Sequence, residues 1–541
     1  MSVRPPSPGL GTDAGGGKAN GVDAAAGTGG VGRTDAGAGG SGGGMPAGGC
    51  TGPCGDFPAQ PVIVPGAPPD AATMFGAAGT GNPGTGPCLL DPQTGTLFPS
   101  NWLRPRFSFK APSSQKLFEL RIHSDKQMND LVVYTTMPSW TMPKDIWQNL
   151  AAHVVEQPIT VTVRGLETVA GTKTVHVGAS STFVIAPVQA AGSIVYWTTT
   201  GVSSLKGFVV GDETVRSVLT PPMVGPTVRC IGCHTSTPDG QFIGMAANLA
   251  PDHADPASIA IRSGSNAQEP AYLTAVARQL LSRPQQPLAA FSAGHWKAGD
   301  RIAISMFQNR NIIWTDLEAT AAAENTGWGI IKRTGDMGAP TGATWSHDGA
   351  TIVYTSVAGG STDTGIRILS GGKGSLYSVP YADRMGGAAA PVPGGSDPQF
   401  HAYYPSFAPD DKWIAFTRAP SLGESYDIPG AEVFILPREG ATMPTRLGAN
   451  DPPQCSGRTS PGVTNSWPKW APTVKTANGR NYYWLTFSSR RTGFVPQIFI
   501  TAVVVDAAGK VETFPALYVW NQPELEANHT PAWDLFELVV Q

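Results

Sequence analysis

The segment Phe407-Ala408-Pro409-Asp410-Asp411-Lys412-Trp413-Ile414-Ala415-Phe416 is the clearest copy of a repeat that decides the fold. In each copy an aromatic residue or Ser precedes a short polar turn, and an apolar run follows the turn. Pro, Asp and Gly favour tight turns, and the apolar run predicts a strand buried between its neighbours. The other copies begin at Ser236, Trp296, Trp345, Trp470 and Pro531. Their spacing of roughly 50–60 residues is typical of four-stranded propeller blades.

These repeats resemble those of the TolB-like β-propellers, a WD40-like family in which Trp-Ser-Pro-Asp-Gly-Lys precedes Ile-Ala-Phe. The resemblance covers about residues 193–541 and implies six blades. The second copy lacks the Pro and the fifth has lost its Asp-Gly turn, so we expect insertions in these copies. Because little sequence follows the sixth copy, residues 194–197 and 205–210 are expected to complete its blade. Closure by both ends of the chain removes free sheet edges.

The sequence before the repeats divides into two parts. Residues 96–190 contain short runs of alternating apolar and polar residues, and a single helical turn is predicted at 143–150. This pattern predicts a β-sandwich of the immunoglobulin or fibronectin III type. Residues 1–95 are rich in Gly, Ala and Pro, and we expect a disordered tether there. The chain is therefore predicted to be all-β, with a tether at 1–95, a sandwich at 96–190 and a six-bladed propeller at 191–541.

A second signal lies just before the turn of the first repeat, where Cys230-Ile231-Gly232-Cys233-His234 reads Cys-x-x-Cys-His. This is the attachment sequence of c-type haem. Each thiol can form a thioether to one vinyl group of the porphyrin, and the adjacent imidazole then lies under the iron as its proximal ligand. Only 6 of the 541 residues are Cys and 9 are His, so a chance match is rare. We predict one covalent haem c on Cys230, Cys233 and His234. A redox dithiol, half of a zinc site and a plain disulfide are the alternatives.

The repeat alignment also predicts where the haem lies. His234 takes the position held by Pro405, Pro468 and Pro531 in other copies, which places it on an innermost strand at one end of the central channel. Residues at corresponding positions should face the same end, and four of them can ligate iron: His295, Met337, His401 and His529. Of these, Met337 and His529 are the preferred candidates for the second axial ligand. Five-coordinate iron is the alternative.

The remaining cysteines are predicted to form disulfides. Cys50, Cys54, Cys88 and Cys455 are left when the haem thiols are set aside. In an oxidising compartment two bridges can form, and we expect Cys54–Cys88 or Cys50–Cys54. Cys455 then has no obvious partner.

Composition limits the partners and the compartment. The formal net charge is −3, from 37 Lys and Arg against 40 Asp and Glu, and no basic stripe indicates a nucleic-acid partner. No apolar stretch is long enough for a transmembrane helix. Because haem c is attached outside the cytoplasm, we expect the periplasm or the cell surface, with a signal sequence missing from this chain. The tether, or a lipid, is expected to anchor the protein.

The preferred function is that of an exported mono-haem c-type cytochrome in electron transfer or redox sensing at the cell envelope. It would work with a redox or scaffold protein partner rather than as an enzyme. One alternative is a protein-binding scaffold with a structural haem, since propellers and sandwiches are common interaction modules. The other is a haem enzyme, peroxidase-like or reductase-like, with an open distal position. The sequence contains no second cofactor motif, which disfavours the enzyme.

Overall fold

Strands dominate the computed structural model, which describes residues 55–248, 257–264, 266–308, 310–359, 362–363, 367–369, 371–420, 424–440 and 443–538. Within these ranges the α-helices are short: α1 (Ala71–Phe75), α2 (Lys144–His153), α3 (Pro221–Val224) and α4 (Ala275–Leu281). The predicted all-β class is confirmed. None of the described helices combines the length and the apolar character needed to cross a membrane.

The sequence before the repeats forms two sheets. Its strands are β1 (Val62–Ile63), β2 (Asn82–Pro83), β3 (Cys88–Asp91), β4 (Thr96–Phe98), β5 (Arg106–Lys110), β6 (Gln115–His123), β7 (Leu131–Thr135), β8 (Ser139–Thr141), β9 (Ile159–Val169), β10 (Thr172–Val177) and β11 (Ser181–Ile185). The larger sheet has the order β1-β7-β6-β9-β10-β2, with β11 joining β9 to β4, and the smaller has the order β3-β5-β8. The helical turn predicted at 143–150 overlaps α2, which begins one residue later, at Lys144, and extends to His153. The immunoglobulin-like connection of these strands stays a prediction.

The tether prediction needs correction for residues 55–95, because β1, α1, β2 and β3 lie there. A buried arginine holds part of this segment in place. The guanidinium of Arg164 forms an ion pair with Glu119 at 2.5 Å and donates to the backbone carbonyls of Phe75, Ala77 and Thr80. The amino-acid composition of this segment does not predict such an anchor, because Arg164 binds its backbone carbonyls, which every residue type carries. The rest of the predicted tether, residues 1–54, lies outside the described residues.

The sequence from residue 193 onward forms the propeller. Its strands are β12 (Ser193–Thr198), β13 (Ser204–Val209), β14 (Arg216–Leu219), β15 (Cys230–Ser236), β16 (Ile243–Asn248), β17 (Ser258–Arg262), β18 (Ala289–Ala290), β19 (Trp296–Lys297), β20 (Asp300–Phe307), β21 (Asn311–Asp316), β22 (Trp328–Ile330), β23 (Arg333–Thr334), β24 (Ala339–Trp345), β25 (Thr351–Ala358), β26 (Thr362–Asp363), β27 (Arg367–Ile368), β28 (Lys373–Pro380), β29 (Gly387–Ala388), β30 (Ala390–Pro391), β31 (Phe400–Phe407), β32 (Trp413–Pro420), β33 (Glu432–Pro437), β34 (Thr445–Arg446), β35 (Ser466–Trp470), β36 (Lys475–Ala477), β37 (Arg480–Ser489), β38 (Gln497–Val505), β39 (Val511–Thr513), β40 (Leu517–Tyr518) and β41 (Asn528–Asp534).

These strands form six blades in the part of the chain that the structure describes. From the channel outward the blades are β41-β12-β13-β14, β15-β16-β17, β18-β20-β21-β22, β24-β25-β28-β30, β31-β32-β33-β34 and β35-β37-β38-β39. Each innermost strand contacts the next around the ring, and β35 contacts β41. The ring is therefore closed. The prediction that both ends of the chain share one blade is confirmed, because Ile194 pairs with Trp533 and Val195 with Ala532.

The second repeat copy does not lie where the alignment placed it. The innermost strand of that blade is β18, in which Ala290 pairs with Ile304. Trp296 follows a 3-10 helix, Ala293–His295, and pairs with Arg301 in a separate hairpin. The aromatic residue of this copy therefore belongs to an insertion after the inner strand. The insertion expected in the fifth copy is present as the β36–β37 hairpin.

The sheets before the propeller pack directly on the blades built from β12–β14 and β35–β40. One apolar cluster contains side chains from both parts, and the ring of Trp102 lies 6.0 Å from that of Trp533 and 6.3 Å from that of Phe208. Beside it, Arg104 forms a bidentate ion pair with Glu213 at 2.6 and 2.7 Å. A shared core of this kind fixes the two parts relative to each other.

A disulfide joins Cys88 on β3 to Cys455, with Cα atoms 6.3 Å apart. The predicted Cys54–Cys88 bridge is therefore wrong, and a Cys50–Cys54 bridge lies outside the described residues. The two half-cystines are 367 residues apart in sequence. Only the folded ring brings the connection between β34 and β35 to β3, so spacing along the chain could not predict this pair.

Replacing Cys88 and Cys455 together by Ser should lower the free energy of unfolding by about 4 kcal/mol, because the bridge closes a very long loop. Urea unfolding under oxidising conditions measures this, with Ser456→Ala as the control. Unchanged unfolding of the double variant would contradict a stabilising role for the bridge.

Candidate functional site at the central channel

A β-bulge interrupts the Cys-x-x-Cys-His motif and changes the direction in which its side chains point. The pairing of β15 with β16 shifts between Gly232 and His234, and Cys233 has a φ of 33°. A residue with a positive φ also occurs on four other innermost strands: Gly342, Tyr404, Trp467 and Thr530. Such a bulge turns a side chain away from the regular alternation of a strand. His234 follows the bulge at the position that Pro405, Pro468 and Pro531 hold in other blades, as the alignment predicts.

The bulges line one cavity of about 400 Å³, which is bordered by the innermost segments of the ring. Each of the six innermost segments contributes to its wall, and these segments lie within residues 233–238, 288–293, 342–347, 404–409, 467–472 and 530–535. Cys233 and His234 both lie in this wall. This volume is within the range of small-molecule sites, roughly 300–1,000 Å³.

Cys230 points elsewhere. Its side chain is buried among apolar residues of the first two blades, including Leu205 and Met245. Both motif cysteines are thiols in this structure. Burial raises the pKa of both thiols, that of Cys233 to about 12, so both are protonated at neutral pH. A reactive dithiol needs a lowered thiol pKa, which disfavours that alternative.

The zinc and disulfide alternatives also find no support in the described ranges. No group of three His, Cys, Asp or Glu side chains there is arranged to hold a metal ion. A structural zinc site needs four ligands in close range. A plain disulfide between Cys230 and Cys233 is not formed.

His234 has its tautomer fixed by the fold. It is 9 % exposed, and its Nε2 lies 3.1 Å from the carbonyl oxygen of Val195. Burial lowers the pKa of the imidazole to about 4, so the ring is neutral and Nε2–H donates to that carbonyl. Nδ1 then carries a lone pair, and it has no hydrogen-bond partner in the described part of the chain. A ligating histidine is typically held in this way, with one nitrogen on a backbone carbonyl.

Gly232 lets the motif pack against Trp197. A Cβ atom at this position would lie 2.9 Å from Cε2 of the indole ring. The ring is held by its Nε1–H, which donates to Ser203 at 2.7 Å, and Ser203 in turn donates to the carbonyl of Ile231. Position 232 must therefore be Gly for β15 to pack closely against β12 of the neighbouring blade.

The two candidates for the second ligand lie in different surroundings. His529 on β41 is buried, and its ring centroid is 4.6 Å from that of Trp197, the residue that contacts Gly232. Met337 is 98 % exposed and does not line the cavity. The carboxylate of the preceding residue, Asp336, is held inside by hydrogen bonds from Tyr354 and Ser356. His529 therefore lies close to a residue that contacts the motif, whereas Met337 does not, but neither of the two side chains lines the cavity.

The other two histidines considered have different environments. His295 stacks on Trp345 with ring centroids 5.0 Å apart, and its Nδ1 lies 3.0 Å from Asp300. His401 is buried, and its Nδ1 accepts the backbone N–H of Gly374 at 3.1 Å. His295 follows the inner strand of its blade because of the insertion described above, so the alignment that selected it does not hold.

Sequence reasoning missed several residues of the cavity wall. Lys469 is the only Lys or Arg among the described lining residues, and burial lowers the pKa of its ammonium group. Asp534 is the only lining carboxylate, and it accepts the backbone N–H of Ser236 at 3.1 Å. The rings of Tyr404 and Trp467 stack at 3.6 Å. A signal was present for three of them, because Tyr404, Trp467 and Lys469 are direct neighbours of Pro405 or Pro468, which the repeat alignment places at the channel.

The wall fits a c-type haem in most but not all respects. Cys233 and His234 both line the cavity, although Nδ1 of His234 is itself buried. Lys469 offers a cation for a propionate group, and the aromatic pair offers a flat apolar surface. Cys230 does not face the cavity in this conformation. A second thioether therefore requires its side chain to leave the apolar cluster.

No known family model and no curated protein matches the chain. Among solved structures, it is similar to hydrazine synthase of Kuenenia stuttgartiensis at 11% identity and a TM-score of 0.39, over 63% of this chain and 46% of that one. It is also similar to a hypothetical selenium-binding protein from Sulfolobus tokodaii at 10% identity and a TM-score of 0.29, over 78% and 94% of the two chains. The match thus spans less than half of the hydrazine synthase chain, and the propeller assignment rests on the strand pairing described above.

Replacing Gly232 by Ala should destabilise the fold by about 1–3 kcal/mol, because the added methyl group overlaps the ring of Trp197. Gly493→Ala is the matched control, since nothing lies within 4 Å of a Cβ there. Thermal unfolding of both variants checks this, and equal stability would contradict the packing of β15 on Trp197.

Proposed function

We propose that this protein is a mono-haem c-type cytochrome built on a TolB-like propeller. Cys230 and Cys233 anchor the haem and His234 is the proximal ligand. The observation that carries this proposal is the position of the motif: it lies on a channel-lining strand, with two thiols and a neutral imidazole. When bound, the haem supplies a one-electron couple at its iron.

The residues of the site have distinct tasks in this proposal. The carbonyl of Val195 holds the imidazole of His234 in one tautomer and orientation, which raises the basicity of the ligating nitrogen. Lys469 pairs with a propionate carboxylate of the haem, which would relieve the cost of burying its charge in the cavity. Trp197 and Gly232 keep the strand close to the neighbouring blade.

We propose His529 as the second axial ligand. Its ring is buried next to Trp197, and its Nε2 lies 3.4 Å from the hydroxyl of Thr199. Two histidine ligands give a lower reduction potential than a His/Met pair, since Met favours the reduced iron.

The proposed activity is electron transfer or redox sensing outside the cytoplasm, at the periplasm or the cell surface. The ring of Tyr426 lies 6.4 Å from that of His529 and is partly exposed. This end of the ring is therefore where we expect a redox or scaffold partner to approach the haem.

The test is expression in a host with haem-attachment machinery, followed by visible spectra before and after dithionite. The expected result is a sharp α band on reduction, with colour that survives acid–acetone extraction. Cys230→Ala and Cys233→Ala should each remove one thioether, and the double variant should lose all covalent haem. His153→Gln, at an exposed position on α2, is the control. A colourless parent protein with two titratable thiols would refute the proposal.

His529→Gln should convert six-coordinate low-spin iron to a high-spin form, whereas Met337→Leu should leave the spectrum unchanged because that side chain is exposed. Electron paramagnetic resonance of the oxidised protein measures the spin state. A low-spin signal that persists in His529→Gln would contradict the assignment of His529.

A further inference from the structure

A second cavity, of about 760 Å³, lies between the smaller N-terminal sheet and the last blade. Residues of β3 and β5 form one wall, and residues of β38, β40 and the loop around Cys455 form the other. We call it the interface cavity. No described residue lines both this cavity and the central one. Cavities of this size between two packed parts of a chain are common small-molecule sites.

The interface cavity carries an excess of cations. Its wall contains Arg106, Lys110, Arg458 and Arg491 against the carboxylates of Asp91 and Glu524. Glu524 is already paired with Arg106 at 2.7 Å. Burial raises the pKa of Asp91 to about 7, so this group is only partly ionised at neutral pH. Lys110 and Arg458 are exposed, and neither forms an ion pair within the described ranges.

Arg491 is an unusual part of this wall. It is 6 % exposed, and no carboxylate pairs with it in the part of the chain that the structure describes. Its guanidinium donates to the carbonyl of Ala449 and the amide oxygen of Asn465, but Nη1 has no partner among the described residues. Burial lowers the pKa of this guanidinium to about 9. A buried charge without a counter-ion is costly, and a bound anion would remove that cost.

The rest of the wall is apolar. The ring of Phe499 lies under the guanidinium of Arg491, 4.7 Å from its central carbon to the ring centroid. Phe494 and Leu525 line the cavity although they are 92 % and 88 % exposed. Large apolar side chains this exposed next to a cavity are typical of ligand or interaction sites.

The Cys88–Cys455 disulfide holds the two walls together. Asp91 and Arg106 lie on the strands beside Cys88, and Arg458 follows Cys455 closely in sequence. Cys88 itself pairs with Lys110 across β3 and β5. The cross-link thereby places cations from both walls at one cavity before any ligand binds, which lowers the ordering cost of binding.

We propose that the interface cavity binds a small organic anion with an apolar or aromatic body, such as an aromatic carboxylate or sulfonate. The anionic group pairs with the cations of the two walls, chiefly Lys110 and Arg458, and its charge compensates that of Arg491. The apolar body packs on Phe494, Phe499 and Leu525. This site is separate from the haem site, and its function does not depend on haem attachment.

Calorimetric titration of the full chain with anilinonaphthalene sulfonate and with neutral phenylnaphthylamine tests the proposal. The sulfonate should bind at one site at least about 10-fold more tightly, because only it carries the charge. Lys110→Gln combined with Arg458→Gln should remove most of this difference. Phe494→Ser combined with Leu525→Ser should weaken both probes.

The matched controls are Lys126→Gln combined with Lys173→Gln, and Met128→Ser, all at exposed positions that do not line this cavity. They should leave both affinities unchanged. Cys230→Ala combined with Cys233→Ala should also leave binding intact, which separates this proposal from that of the haem. Equal binding of the two probes, or equal effects of the wall and control variants, would overturn the proposal.

Discussion

Pairing between β41 and β12 is the constraint on which the rest of the structure depends. It joins residues near the end of the chain to a strand more than 300 residues earlier and closes the ring. The central cavity exists only in the closed ring, because all six innermost segments contribute to its wall. The same closure brings His529 beside Trp197, and the packed ring brings the loop of Cys455 to β3. Closed rings of this kind leave no long free sheet edge.

Each residue of the Cys-x-x-Cys-His motif has a distinct environment on its strand of the ring, β15. A β-bulge at Cys233 turns its side chain to the channel, whereas Cys230 stays in the apolar layer between blades. Gly232 permits close packing on Trp197, and His234 is held by Val195 of the neighbouring blade. In the proposed cytochrome, haem attachment would couple to blade packing, since a second thioether would need Cys230 to leave its cluster. Attachment would then have to occur before or during folding of this blade.

Local patterns predicted most of the fold, and long-range contacts account for what they missed. The Pro-Asp-Gly turns and apolar runs identified five of the six inner strands, because these signals lie within about ten residues. The alignment assigned Trp296 to an inner strand, which is wrong, because the hairpin inserted in this blade has a similar turn sequence. The disulfide of Cys88 with Cys455 and the anchoring of 71–80 by Arg164 depend on neighbours that are distant in sequence. In the candidate site, the motif and the alignment predicted that Cys233 and His234 lie at the channel, and both line the cavity, whereas His529 and Met337 do not. Lys469 was missed because it belongs to no known motif, although it follows Pro468 directly.

The central claim is that iron lies next to His234 at the channel. Anomalous X-ray diffraction at the iron edge, from crystals of protein exported with haem-attachment machinery, tests it most directly. The account predicts one iron peak within bonding distance of the imidazole of His234, and continuous density from both motif cysteines to a porphyrin. Absence of an iron peak, with both thiols placed as in this structure, would contradict the account.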